Sequence, residues 1–133
     1  MDYDVEHLGL ASRDTEALKD WYVRVLGGEI VFATEQKPQA FLIRLRGGFI
    51  VEIYPAESEG LETANNRLAG WRHLALRVES IEEARDGLAE RGVIFTEAIK
   101  PAGGAGRVLF FQDPDKNLLH LVERPKTFLP LAR

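Results

Sequence analysis

The chain has 133 residues with no cysteine, one methionine and three histidines, a length that predicts one domain over 1–133 and a composition without thiolate zinc sites, iron–sulfur clusters or cysteine nucleophiles. Seventeen Lys and Arg against 21 Asp and Glu leave a net charge of -4, which argues against a nucleic-acid partner. With 45% hydrophobic and 29% charged residues, no apolar run near the ~18 of a membrane span and an acidic start at Met1-Asp2-Tyr3-Asp4 unlike a signal peptide, the expectation is a soluble cytoplasmic protein.

In chain order, Val5-Glu6-His7-Leu8-Gly9-Leu10 alternates as a strand, with Leu8 and Leu10 toward a core and His7 on the other face. A helix follows. Asp14 is its predicted N-cap, and Ala17, Leu18, Trp21, Tyr22, Val25 and Leu26 form one apolar stripe that ends at Gly27-Gly28. Three strands come next, at Glu29–Ala33, Phe41–Leu45 and Phe49–Tyr54, the last two joined by a turn at Arg46-Gly47-Gly48. In the last strand Phe49, Val51 and Ile53 are expected on the helix side, and Ile50, Glu52 and Tyr54 on the opposite side. The polar stretch Glu57–Gly70 breaks the pattern.

The pattern then repeats. Trp71-Arg72-His73-Leu74-Ala75-Leu76 matches the first strand, and Ser80-Ile81-Glu82-Glu83 opens a helix with a capping box. Ile81, Ala84 and Leu88 continue that helix at helical spacing, and Gly92 stops it. Strands are expected at Val93–Glu97, Arg107–Gln112 and Leu118–Glu123, with a turn at Asp113-Pro114-Asp115-Lys116-Asn117. The Gly-rich stretch Lys100–Gly106 lacks the strand-to-helix context of a phosphate-binding loop and is expected to form a mobile rim or lid. The tail 125–133 is expected to cover a neighbour's surface. The fold class is therefore α+β: two paired βαβββ modules, about 4–56 and 70–124, forming a cup-shaped mixed sheet with the helices on its outer face.

The repeat carries chemistry. His7 and Glu52 lie 45 residues apart and His73 and His120 lie 47 apart, so each module sets one ligand-type residue on its first strand and one on its last. Taken singly, a strand histidine is most simply a hydrogen-bonded residue and a strand glutamate a solvated one. All three histidines of the chain at repeat-related positions favour ligation. If first and last strands are neighbours, three imidazoles and one carboxylate meet inside the cup and suit a divalent transition metal: Ni, Zn, Fe, Mn or Co.

With these residues in place the sequence resembles the vicinal oxygen chelate superfamily of glyoxalase I, fosfomycin- and bleomycin-resistance proteins, methylmalonyl-CoA epimerase and extradiol dioxygenases. The resemblance runs from Val5 to Glu123. It rests on His7-Leu8-Gly9-Leu10, Val51-Glu52-Ile53-Tyr54, His73-Leu74-Ala75-Leu76 and the hairpin from Phe111 through Asp113-Pro114-Asp115-Lys116-Asn117 to His120. It implies paired βαβββ modules, metal ligands His7, Glu52, His73 and His120, a small-molecule substrate and a homodimer. The chain departs from the family where His120 replaces the usual glutamate. Glu123 does not restore it, because its odd offset from His120 puts it on the other sheet face.

The resemblance implies a metal-dependent lyase or isomerase of the glyoxalase I-like class, in which a Lewis acid stabilises an enediolate-type oxyanion. Glu52 is read either as the base that takes a proton α to a carbonyl or as a charge-balancing ligand. Alternatives are a non-haem Fe(II) extradiol-type dioxygenase and a drug-binding or resistance protein acting by sequestration or metal-dependent thiol transfer. Arg44, by its parity, is expected to bind a substrate carboxylate or phosphate. Arg46 and Arg77 are weaker choices for that role, and Tyr54 and Phe110 are expected to line the cup.

Overall fold

The structure is a computed structural model and describes residues 2–60 and 62–129. Ten elements follow one another: β1 (Leu8–Ser12), α1 (Thr15–Arg24), β2 (Glu29–Ala33), β3 (Phe41–Arg44), β4 (Ile50–Pro55), β5 (His73–Val78), α2 (Ile81–Glu90), β6 (Lys100–Ala102), β7 (Gly106–Gln112) and β8 (Leu118–Glu123). They fall into two compact units that divide between Leu61 and Glu62, inside the expected polar break. Each unit is βαβββ, as the repeat predicts. Hydrogen bonding gives each its own four-stranded mixed sheet, ordered β1-β4-β3-β2 and β5-β8-β7-β6. First and last strands of a unit run parallel, β1 beside β4 and β5 beside β8, and the remaining neighbours are antiparallel.

Local chemistry explains the helices. Asp14 Oδ1 accepts the Ala17 N–H at 3.0 Å and Ser80 Oγ accepts that of Glu83 at 3.2 Å, so each predicted cap satisfies an otherwise orphaned donor. Gly27 and Gly92, with φ of 71° and 96°, end the helices in the left-handed conformation. The stripe of α1 is narrower than expected: Leu18, Trp21, Tyr22 and Val25 are buried with Ile43, Val51 and Ile53, whereas Ala17 is exposed and Leu26 half-buried. Helix α2 packs on its own sheet through Ile81 and Leu88, with Leu109, Phe111, Leu119 and Leu121 in the same core. Each such aliphatic residue contributes roughly 1.5–3 kcal/mol on burial.

One ion network closes the second unit. Glu123 faces α2, where its Oε2 accepts the Ile81 N–H at 3.0 Å, and Arg107 donates to both Glu123 (2.8 Å) and Glu82 (2.9 Å). These partners hold the carboxyls of Glu82 and Glu123 below their ordinary range; for Glu82 the Arg107 guanidinium is the larger cause, for Glu123 the Ile81 amide.

Four expectations are corrected. Strand β1 begins at Leu8, so His7 stands just before the ladder rather than in it. Val93–Glu97 alternates in burial, with Val93 buried and Phe95 edge-on to Phe111 at 5.7 Å, but forms no strand. The pairing belongs to Lys100–Ala102, so the stretch expected as a mobile rim is the β6–β7 hairpin. The described part of the tail, 125–129, packs on its own unit. Arg77 donates to the carbonyls of Pro125 and Leu129, Arg124 donates to that of Gly103, and Phe128 fills the space over Gly104 that a Cβ would need. Residues 130–133, including Leu131, lie outside the described residues.

Candidate metal centre

In the first unit the register sets Gly9 and Leu42 on either side of Glu52, on the sheet face opposite α1. Gly9 has no side chain to cover its neighbour, and the ring of Tyr54 occupies that space: a Cβ on Gly9 would lie 3.1 Å from Tyr54 Cε1 and 3.8 Å from Glu52 Oε1. His7 Nε2 lies 3.5 Å from Glu52 Oε1, and both side chains are about one-third exposed, His7 at 33% and Glu52 at 36%. Two ligands on one tetrahedral ion with bonds of ~2.1 Å stand about 3.4 Å apart, so this pair has ligand spacing.

In the second unit β5 and β8 place Ala75 beside His120, which puts His73 on the face that His120 shares with Phe110. The two imidazole rings lie 4.7 Å apart between centroids. Phe110 contacts both, at 4.8 Å from His120 and 6.0 Å from His73. His120 is buried, and burial, the largest cause, pushes its pKa down. The nearby Arg124 guanidinium adds to the fall, and the bond to the Leu121 carbonyl opposes it. The favoured form is neutral imidazole, the form that ligates metal.

All three histidines share one arrangement. His7 Nδ1 donates to Glu6 Oε1 at 2.9 Å, His73 Nδ1 to Asn66 Oδ1 at 2.7 Å and His120 Nδ1 to the Leu121 carbonyl at 3.1 Å. With the proton on Nδ1, each ring keeps its lone pair on Nε2. A second partner that fixes the tautomer in this way is the usual support of a metal-bound histidine. The donor set therefore fits a divalent transition metal in chemistry. In position, each unit brings two of the four expected ligands together, and no group of three or more His, Asp or Glu is gathered among the described residues.

Of the remaining expected residues, Arg44 lies on the Glu52 face of β3 and is exposed. Tyr54 flanks Glu52 and is 39% exposed, and Phe110 is half-buried against the histidines. Arg77 donates to the tail carbonyls of Pro125 and Leu129. Sequence reasoning missed Glu6 and Asn66, the acceptors behind His7 and His73. Glu6 is adjacent to its histidine and was open to detection, whereas Asn66 lies seven residues upstream in an irregular segment with no periodic signal. It also missed Lys100, whose ammonium sits 4.9 Å over the Phe110 ring and 3.5 Å from Glu97.

Two βαβββ units, each with ligand-type residues on the face turned from its helix, define the class. A model of the Glyoxalase/Bleomycin resistance protein/Dioxygenase superfamily matches residues 4–121, and the chain belongs to that superfamily. A Bacillus subtilis (strain 168) relative, Uncharacterized protein YwkD, is 31% identical over 124 residues, covering 90% of this chain and 96% of that protein. The crystal structure of a glyoxalase family protein from Enterococcus faecalis is similar with a TM-score of 0.77 and 27% identity over 90% of this chain and 97% of its own. A variant of FosX, a fosfomycin resistance protein from Listeria monocytogenes complexed with Mn(II) and 1S,2S-dihydroxypropylphosphonic acid, shares the fold with a TM-score of 0.68. Its identity is 18%, over 91% of this chain and 90% of its own.

Proposed function

We propose that the protein is a metal-dependent lyase or isomerase of the glyoxalase I-like class, acting as a homodimer on a small oxygenated substrate. His7, Glu52, His73 and His120 are the proposed ligands of one divalent metal. The observation that carries the reading is the shared arrangement at Nδ1: three histidines, each with Nδ1 against an oxygen, leave three Nε2 atoms for a ligand, together with the carboxylate beside His7. Held by these residues, a divalent ion would supply Lewis acidity toward negative charge developing on a substrate oxygen.

The chain's own residues do the rest. Glu52 is the carboxylate available to remove a proton α to a carbonyl, through the oxygen that does not hold the metal. Tyr54, packed over Gly9, shields one side of that carboxylate from water. Arg44, on the same sheet face, holds an anionic group of the substrate through its planar fork. Phe110 keeps His73 and His120 apart from polar solvent on one side.

Metal analysis of protein purified without chelator tests the reading. About one Ni, Zn, Fe, Mn or Co per chain is expected, falling sharply in a His7→Ala, His73→Ala double variant. Stoichiometry far below one, unchanged on adding these ions, would refute it. Glu52→Gln is expected to abolish exchange of the substrate α-proton with deuterated solvent in a hemithioacetal assay, and retained exchange would remove Glu52 as the base. Catechol-dependent oxygen uptake would identify a dioxygenase instead, and tight drug binding without metal or turnover a sequestering protein.

A further inference from the structure

The segment joining the two repeats is ordered around one histidine. Arg72 Nη1 donates to the carbonyls of Glu62 (3.3 Å) and Asn65 (3.0 Å), and Asn65 Oδ1 accepts the Arg67 N–H at 3.1 Å. The Leu68 N–H closes a turn on the Asn65 carbonyl at 3.3 Å, with Asn66 at its second position. Thr63 Oγ1 ties the same segment to the Lys116 carbonyl in the β7–β8 turn at 3.0 Å. The side chain this scaffold presents is Asn66, whose Oδ1 accepts from His73 Nδ1 at 2.7 Å, the shortest of the three histidine bonds.

We propose that Asn66, braced by Arg72, is a positioning residue that fixes His73 as the Nδ1-protonated tautomer and so directs its Nε2 lone pair to a divalent metal. The metal half of this statement rests on the proposed function, and the tautomer half does not. The physical reason is an asymmetry among the histidines. The acceptor behind His120 is a main-chain carbonyl, present whatever the side chains are. That behind His7 is an exposed carboxylate, Glu6, which reorders at little cost. His73 depends on an amide that has two faces. Turned over, its Nδ2 would donate to Nδ1, move the ring proton to Nε2 and block the ligand atom. The clamped turn holds the Asn66 side chain within reach of Nδ1, and Oδ1 is the atom presented there. Arg72 is suited to the task because its rigid guanidinium holds two carbonyls at once, and its exposure is only partial.

The test uses the full chain stripped of metal, at a pH where its histidines are neutral, with two-bond proton–nitrogen NMR spectra to read which nitrogen of His73 carries the proton. The unsubstituted protein is expected to show Nδ1–H alone. Asn66→Ala and, independently, Arg72→Met are expected to give a mixture of tautomers, and Asn66→Asp, an acceptor in both orientations, to restore Nδ1–H. Zn(II) titration should follow the spectra: affinity falls about 10–100-fold in Asn66→Ala, the usual cost of losing such a support, and returns toward the unsubstituted value in Asn66→Asp. An unchanged tautomer in Asn66→Ala overturns the proposal, even if Zn(II) affinity falls, because the loss would then be structural. Nε2–H in the unsubstituted protein overturns it as well. If tautomers shift as expected while no variant, nor the unsubstituted chain, binds Zn(II), Asn66 keeps its role and the metal reading under Proposed function is the one that fails.

Discussion

Replacing Glu123 with alanine separates two roles that a glutamate near the end of β8 could hold. The superfamily pattern has a glutamate where this chain has His120, and Glu123 is three residues away. Its carboxylate, however, faces α2. It accepts the Ile81 N–H at 3.0 Å and two Arg107 bonds at 2.8 and 3.1 Å. Loss of a side-chain acceptor at a helix N-terminus costs about 1 kcal/mol, within a range of roughly 0.5–2. The Arg107 pair faces solvent, where screening leaves it little net weight. For a chain of this length 1 kcal/mol corresponds to a fall in thermal midpoint of about 3–6 °C, between the values for small and large domains. Calorimetry near pH 7 should show that fall in Glu123→Ala with metal affinity unchanged, whereas His120→Ala should lose metal affinity. The effect depends on pH in a known direction. The Ile81 amide and Arg107 favour ionised Glu123, so its folded-state pKa lies below the ordinary 4.5. The unfolded chain takes up the proton first. The stabilisation is therefore complete above about 4.5 and is lost as pH falls through the lowered folded value. A Glu123→Ala protein with full thermal stability and impaired metal binding would show that Glu123, not His120, is the ligand and that the sheet-face assignment is wrong.

Two further substitutions probe the scaffold under the site. Gly28→Ala places a Cβ 2.5 Å from Ile43 Cγ2 and 3.0 Å from the Tyr22 carbonyl, inside the packed core of the first unit. Overpacking of this kind costs about 1–3 kcal/mol, and urea denaturation should show a lower midpoint with an unchanged slope. Asp113→Ala removes the acceptor that holds the Asp115 and Asn117 amides at 2.9 Å and the Asn117 side chain at 2.8 Å, at the turn that sets where β8 begins. Hydrogen exchange should quicken through Leu118–His120, and unaltered protection there would mean the strand register does not depend on the turn.

Much of this architecture is legible in the sequence. The caps at Asp14 and Ser80, the stops at Gly27 and Gly92 and the tight turn at Asp113 are local, made by side chains reaching only a few residues along the chain. Side-chain parity placed Glu123 toward the helix and His120 away from it, because a strand alternates faces wherever it pairs. Parity does not decide pairing. Val93 and Phe95 alternate inward like strand residues, yet the ladder to β7 is made by Lys100–Ala102, since alternation reports burial and not which backbone finds a partner. His7 was placed in a strand for the same reason. The candidate site divides along the same line. Which residues are ligand-type, and that they recur, follows from residue identity and period alone. Which acceptor stands at each Nδ1 is decided by three groups with nothing in common: a neighbouring carboxylate, a main-chain carbonyl and an amide seven residues upstream on a turn clamped by Arg72. Tautomer choice depends on a single contact about 3 Å long. Only the folded chain, by setting the path of an irregular segment, decides which atom makes it.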